Sequence, residues 1–505
     1  MGKSRTKVKG LPLGLIELLV RDKKSLDSNW PRDKQNLLAI LLISTICVLY
    51  LMAVLLRHYR LESFGYDLGL YAQEVYLLAS HQLPYSTIKI PNMVIWGDHW
   101  TPSMVIFAPL VWLFGRADLV LVICQVLFLA LAALVVWIIS IEKTADKLFS
   151  LVLLLSFLIF YGVQNAVFFD AHPFFYAAML FPLLYWFWQR NKWAEFFLLS
   201  FLIANFQENL ALYLIALGLC LMIRRRYKQG VFLIIFYGMW FFLIVKLLIP
   251  HFSPTGGFLY SQEMPGLVEM VKRLIVPIEK GKVVILSFWN FSFLPLLSSF
   301  SLLLSGVTFL ENFLGTGALA GRFGFDRHYK AVLGPVLAIG ALEAYSILKK
   351  RRLNFSYLRW GIIGNMLIAA IFMQYYLHLQ LNMLSKKAYW DINSHKQRVL
   401  GIIKDLNRQN YSVVTQNNFV PHLSNRQNIY ILSYLDERGC HLNTNQAEYV
   451  LVDLSDNQSP VNFLGCSVSE ISDLLKKGVA GGEYRMVYEE KKIYLLRRSY
   501  GAWAR

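Results

Sequence analysis

The chain has 505 residues, of which 56% are hydrophobic and 16% charged, less charge than a soluble domain of this length carries. Many apolar runs reach the length of a bilayer-spanning helix, which excludes a soluble globular protein. The net charge of +18 falls mainly in short connections between those runs, a positive-inside pattern, so lipid phosphate, not nucleic acid, is the expected anionic partner.

Residues 1–36 form a basic segment expected in the cytoplasm, with a short surface helix; its apolar patch, LPLGLIELLV, is too short and lacks the cleavage site of a signal peptide. The first span is expected from Asn36 to Leu56. The stretch after it, within an external loop at 58–118, is too polar to span a bilayer and too apolar for a free loop. It places Asp67 in Gly-Tyr-Asp-Leu-Gly and Asp98 with His99 in Gly-Asp-His-Trp-Thr-Pro. Helical spacing between them, and the short run Met104 to Phe114, predict interfacial helices.

Further spans are expected at 119–141, 148–163, 175–188, 196–206, 210–223 and 231–249, with an external turn carrying Asp170 and His172. The trio Gln207-Glu208-Asn209 interrupts the apolar pattern on the same side. His251 opens a second external loop, which holds an amphipathic helix near Leu267 to Ile275. Residues 283–313, broken by Pro295 and Ser298-Ser299, predict a hairpin of two short spans. A connection with Arg322, Arg327, His328, Tyr329 and Lys330 leads into the last spans, 331–348 and 360–381. This makes about eleven spans, N-terminus inside and C-terminus outside. The transmembrane part is then 37–384, followed by a small extracytoplasmic α/β domain at 385–505. There YSVVTQ, NIYILS and EYVLVDL read as strands. Ile392 to Asn407 and Ser469 to Lys477 read as helices, and 484–498 as a hairpin turning at Glu489 to Lys492. Cys440 and Cys466 pair there only if the domain is outside the cytoplasm.

The residues that could carry chemistry lie on the external side. Asp67 suits a general base or an oxygen ligand; its bland role is a helix cap. Asp98 and His99 offer an acid–base pair or, with Asp67, ligands for a divalent cation such as Mg or Mn; again a cap is the alternative. Asp170, His172, Gln207 and Glu208 are expected to bind substrate, although Gln-Glu-Asn also reads as a plain polar turn. His251, Arg322, Arg327, His328, Tyr329 and Lys330 suit phosphate oxygens, or a belt of side chains reaching the interface. No Gly-x-x-x-x-Gly-Lys-[Ser/Thr], Gly-x-Ser-x-Gly or His-Glu-x-x-His motif is present, which removes ATP-driven pumping and the common hydrolase sites.

The ordered segments YDLGLYAQEVYLLASHQLPYS, GDHWTPSMVIFAPLVWLF, FDAHPFFYAAMLFPLLYW, QENLALY, KLLIPHFSPTGG and RHYKAVLGP resemble the prokaryotic membrane family catalogued as domain of unknown function 2079. VPHLSNRQNIYIL, AEYVLVDL and IYLLRR fit its C-terminal pattern. That family is similar to the GT-C glycosyltransferases, which take a sugar from a polyprenyl phosphate and carry an essential acid in the first external loop. The resemblance implies a mainly α, GT-C-like fold in the cytoplasmic (inner) membrane. It also implies inverting transfer from a polyprenyl-phosphate sugar to a glycan, lipid or protein acceptor, with Asp67 as base; Asp67 is a single acid here, not half of an adjacent pair. The alternatives are a transporter or flippase of a lipid-linked substrate, and a non-catalytic envelope assembly protein.

Overall fold

The computed structural model describes residues 34–499 apart from 90, 262–264, 352–354, 444–446 and 457. The expected N-terminal surface helix lies outside the described residues. Among the described residues, six helices are long and apolar enough to cross a bilayer: Lys34–Tyr59, Ala117–Thr144, Lys147–Phe169, Tyr227–Phe252, His328–Arg351 and Phe355–Tyr376. The other expected spans are shorter helices, at Pro173–Gln189, Trp193–Ala204, Leu210–Ile223, Glu279–Trp289 and Ser299–Phe313. The last two are the two arms of the expected hairpin, parted by a 3-10 turn at Leu294–Leu297 where Pro295 cannot donate a backbone bond. Ala117–Thr144 is the central helix, packed against Lys34–Tyr59, Lys147–Leu158, Pro173–Gln189 and Leu333–Arg351.

One end of the bundle is sewn together by the basic connections. Arg224 bonds both oxygens of Glu343 at 2.5 and 2.6 Å. Arg359 grips Asp146 in the same bidentate way, at 2.5 and 3.0 Å. Arg190 reaches Glu142 at 2.5 Å and Lys349 reaches the Thr144 carbonyl at 2.7 Å. The candidate site residues gather at the opposite end.

The C-terminal region holds a five-stranded sheet. Its order is Ile429–Ile431, Val413–Thr415, Tyr449–Asp453, Ile493–Arg498, Tyr484–Glu490. The first three strands run parallel and the last two join antiparallel. The hairpin turns on Lys491 and Lys492, both at positive φ, as a two-residue turn that matches strand twist demands. Helices Ser394–Asn407 and Val468–Ala480 flank the sheet. An antiparallel ribbon, Ser433–Asp436 with Gly439–Leu442, was not expected from the sequence. It sits beside the disulfide Cys440–Cys466, whose Cα atoms are 5.5 Å apart.

This region does not stand apart from the loop at 58–118. Leu61, Leu70, Ile88 and Ile95 of the loop share one apolar core with Val399, Ile403, Val413, Val420 and Leu451.

Candidate active site

Asp67 sits in the middle of a single π-helical turn, Gly65–Gly69, which feeds into helix Leu70–Ala79. Such turns cost regular hydrogen bonding and recur at functional sites. Its carboxylate keeps a solvent face and has no hydrogen-bond partner among the described residues. The surrounding protein and the nearby Asp170 push its pKa up to about 7, against the pull of Arg57, Lys89 and Arg327. A carboxylate poised near neutrality is what proton abstraction at physiological pH requires.

The neighbouring acids are occupied. Asp170 accepts from Arg57 at 2.6 Å and from the Phe64 backbone N–H at 3.0 Å, so it anchors the start of the Asp67 turn. Asp98 is buried, with Lys89 Nζ donating to its two oxygens at 3.0 and 2.9 Å and the Tyr260 hydroxyl to Oδ1 at 3.1 Å. Burial alone would raise its pKa, but His99, Lys89 and Tyr260 outweigh that and hold it low. His99 Nδ1 bonds Glu208 Oε1 at 2.8 Å, and its ring stacks on Tyr260 at 4.6 Å. Burial opposes its charge, yet Glu208 and Asp98 raise its pKa. Glu74 accepts from Thr101 and Trp96, and burial lifts it to about 8; it is a neutral acid that braces the loop.

Asp67, Asp98 and His99 therefore do not present one ligand set for a divalent cation. Lys89 fills the coordination space of Asp98 and Glu208 holds the inward nitrogen of His99. Among the described residues, metal-ligand spacing occurs only at His58, Asp118 and His422. There Arg116 and Asn425 already bond Asp118.

Beyond His99 a groove of about 600 Å³ opens. Leu212, Ile215, Leu219, Phe241, Val307 and Leu310 make its apolar length; His99, Gln207, Glu208, Asn209, Tyr260, Glu311 and Arg322 make its polar end. Gln207 Oε1 and Asn209 Oδ1, both at that end, are buried with no hydrogen-bond partner. The Arg322 guanidinium lies over the rings of Tyr329 and Tyr260, at 4.8 and 5.8 Å from their centroids.

The rest of the expected cationic set divides. His172 and His328 are buried and stacked at 3.9 Å, and Tyr71 reaches His172 at 3.4 Å. Burial and nearby cations keep the His172 pKa low. Lys330 is buried and donates to the Arg322 backbone carbonyl, so it fixes the turn and does not face a phosphate. Arg327 pairs loosely with Asp326 at 3.5 Å and lines a separate cavity with Asn165, Phe169 and Tyr376. His251 is exposed against the ring of its neighbour Phe252 and is not brought to Asp67. Sequence reasoning missed Lys89, Tyr260 and Arg57. Lys89 had a signal, as a lone cation in an apolar stretch that also holds Asp98.

No curated protein matches the sequence. The fold is similar to ArnT from Cupriavidus metallidurans, solved bound to undecaprenyl phosphate. That match covers 92% of this chain and 98% of that one, at a TM-score of 0.51 and 11% identity. The architecture is accordingly of the GT-C kind. With its match running from residue 57 to 495, the chain belongs to the family described as predicted membrane protein (DUF2079).

Proposed function

We propose that the protein is a membrane glycosyltransferase that moves a sugar from a polyprenyl-phosphate donor to an extracytoplasmic acceptor, a glycan, lipid or protein. The observation that carries this reading is an apolar groove whose polar end holds His99 and Arg322 beside Glu208 and Glu311, in a fold that also carries an unpartnered carboxylate, Asp67, held near neutrality. The groove suits an isoprenoid chain along Leu212 to Leu219. Arg322 and His99 then meet the phosphate, with Gln207 and Asn209 lining the same polar end.

In the reaction, Asp67 takes the proton of an acceptor hydroxyl. The acceptor oxygen forms a bond to the anomeric carbon from the face opposite the phosphate. The bond from that carbon to the phosphate oxygen breaks, the electron pair leaves with polyprenyl phosphate, and the anomeric centre inverts. Arg322 and His99 stabilise the charge that grows on the leaving phosphate. Lys89 keeps Asp98 ionised and structural, and limits how far the Asp67 pKa rises. Likeness to an undecaprenyl-phosphate-bound fold supports the donor class. The disulfide supports an oxidising, extracytoplasmic C-terminal domain, and the clustered basic connections support a cytoplasmic opposite end, in an inner membrane.

The test is direct. Purified protein in nanodiscs made from bacterial inner-membrane lipid extract is given radiolabelled undecaprenyl-phosphate glucose, mannose or galactose. Sugar transfer to extract components with release of undecaprenyl phosphate is expected for at least one probe, and not for Asp67→Asn. Movement of intact donor between leaflets without any transfer would favour a flippase and sink the proposal.

A further inference from the structure

The Asp67 turn is built against the C-terminal domain, and its two glycines exist for that contact. Neither Gly65 nor Gly69 has positive φ, so conformational freedom does not explain them. Room does. A Cβ on Gly65 would lie 3.0 Å from Asn417 Oδ1 and 3.0 Å from Val420 Cβ. On Gly69 it would lie 2.8 Å from Val420 Cγ1, while the next atom, the Pro421 nitrogen, is 3.4 Å away.

The contact is also polar. The Gly65 N–H donates to the Asn417 carbonyl at 2.9 Å and to Asn417 Oδ1 at 2.8 Å. Asn417 is itself held: its N–H donates to the Asn462 carbonyl at 2.9 Å and its amide to the Val461 carbonyl at 3.1 Å. Asn418 bonds the Leu61 carbonyl at 3.0 Å. Val420 is fully buried in the core shared with Leu61 and Leu70. On the other side Asp170 holds the Phe64 N–H. Hydrogen bonds thus fix the backbone just before Asp67 and Val420 packs on the glycine just after it, while the carboxylate itself has no described partner.

We infer that Asn417 and Val420 of the C-terminal domain are positioning residues for sugar transfer, clamping the Gly65–Gly69 turn so that the Asp67 carboxylate keeps its unpartnered, partly solvent-facing position. The proposal rests on the reading of Asp67 as the base. It makes the C-terminal domain part of the catalytic site and not an appended module.

The structure supplies a compensating pair for the test. Gly69→Ala drives its new methyl into Val420 Cγ1; Val420→Ala removes that atom. A displacement of about 1 Å at a reacting group can cost on the order of 10²-fold in rate. Full-length variants in nanodiscs are assayed with the undecaprenyl-phosphate hexose that wild type uses, together with binding of undecaprenyl phosphate alone. Gly69→Ala is expected to lose roughly 10- to 100-fold in kcat, with a displaced pH midpoint and unchanged undecaprenyl phosphate affinity. Adding Val420→Ala should restore both kcat and midpoint, a rescue that general loosening of the fold would not give.

If Gly69→Ala keeps wild-type kcat and midpoint while Asp67→Asn is dead, the clamp is refuted and the base stands. If Asp67→Asn is fully active, the base fails and the clamp with it. Loss in Gly69→Ala without rescue also overturns the clamp. Should Gly69→Ala not accumulate, Asn417→Ala removes only the side-chain acceptor. A shifted pH midpoint with unchanged donor KM supports the clamp, and a wild-type midpoint refutes it.

Discussion

The sharpest consequence of the site is the pH dependence of transfer. Asp67 has its pKa raised from 3.8 to about 7, so the proton-accepting form is lost as pH falls through neutrality. With a single titration, the rate at pH 6 should be about a tenth of its plateau, and at pH 8 about nine-tenths. Lys89 is one of the cations that hold this pKa down; Lys89→Met should move the midpoint upward, while it also frees Asp98. Asp67→Asn should lower the plateau by roughly 10²- to 10⁴-fold, because an amide keeps the shape but cannot take the proton. The stability linkage has the opposite sign to activity. An acid whose folded pKa is raised favours the folded state below its unfolded pKa, and that contribution disappears as pH rises through about 7. Stability that falls toward pH 7 while activity begins to climb is the joint signature expected of this acid acting as the base. Initial rates at saturating undecaprenyl-phosphate hexose between pH 5.5 and 9 would measure it. A flat profile, or an Asp67→Asn variant with wild-type plateau, would refute the assignment.

Arg322→Ala should weaken undecaprenyl phosphate binding by about 10- to 100-fold, the value of a charged hydrogen bond, whereas Arg327→Ala, lining a different cavity, should leave it nearly unchanged; native mass spectrometry distinguishes the two. Glu208→Gln removes the negative charge facing His99 and should cost about 3 kcal/mol of stability if that pair is ionic, read as a lower Tm in detergent. Cys440→Ser should cost about 3 kcal/mol for a 26-residue separation; maleimide labelling of Cys440 in unreduced wild type would contradict the disulfide. A reporter fused after Arg505 should be active outside the cytoplasm, and activity only inside would invert the topology.

The membrane helices were legible because apolar run length is a direct physical signal. Leu210–Ile223 and the amphipathic Leu267–Ile275 fall where the sequence put them. So does the break at Pro295. The Asp67 turn was legible as a place, from two glycines around an acid beyond a span. What surrounds it was not. Nothing local to Lys89 says that its ammonium reaches Asp98, and nothing near Tyr260 says that its ring stacks on His99. These partners are far apart in sequence or sit in irregular loops, where no period constrains them. Lys330 shows the converse error. A cation at the mouth of a span reads as a phosphate ligand, yet burial leaves it only a backbone carbonyl to satisfy. The composition change near 385 was visible, but not that residues 416–429 lie along the loop at 58–118.

That last contact bears on how the assembly-protein alternative can be tested. The loop's buried polar groups are completed from the C-terminal side. Gln73 donates to the carbonyls of Arg426 and Gln427. Thr87 exchanges bonds with Ile429, donating to its carbonyl at 2.5 Å and accepting from its N–H at 3.1 Å. The Ala117 N–H, at the start of the central helix, donates to Asn425 at 2.7 Å. Each such group left unpaired costs about 1–3 kcal/mol, against a total stability of roughly 5–15 kcal/mol. Deleting residues 385–505 would therefore unmake the loop that carries Asp67, and lost activity in the truncation would say nothing about a separate binding role. Substitutions on the far side of the domain ask the question cleanly. Met486 and Val487 are exposed on its edge hairpin and touch none of these bonds. If Met486→Lys with Val487→Lys keeps transfer intact, catalysis needs the domain's inner face alone. If it abolishes transfer while donor binding and Tm persist, a partner docks on the outer face, and the domain has a second task that the clamp does not explain.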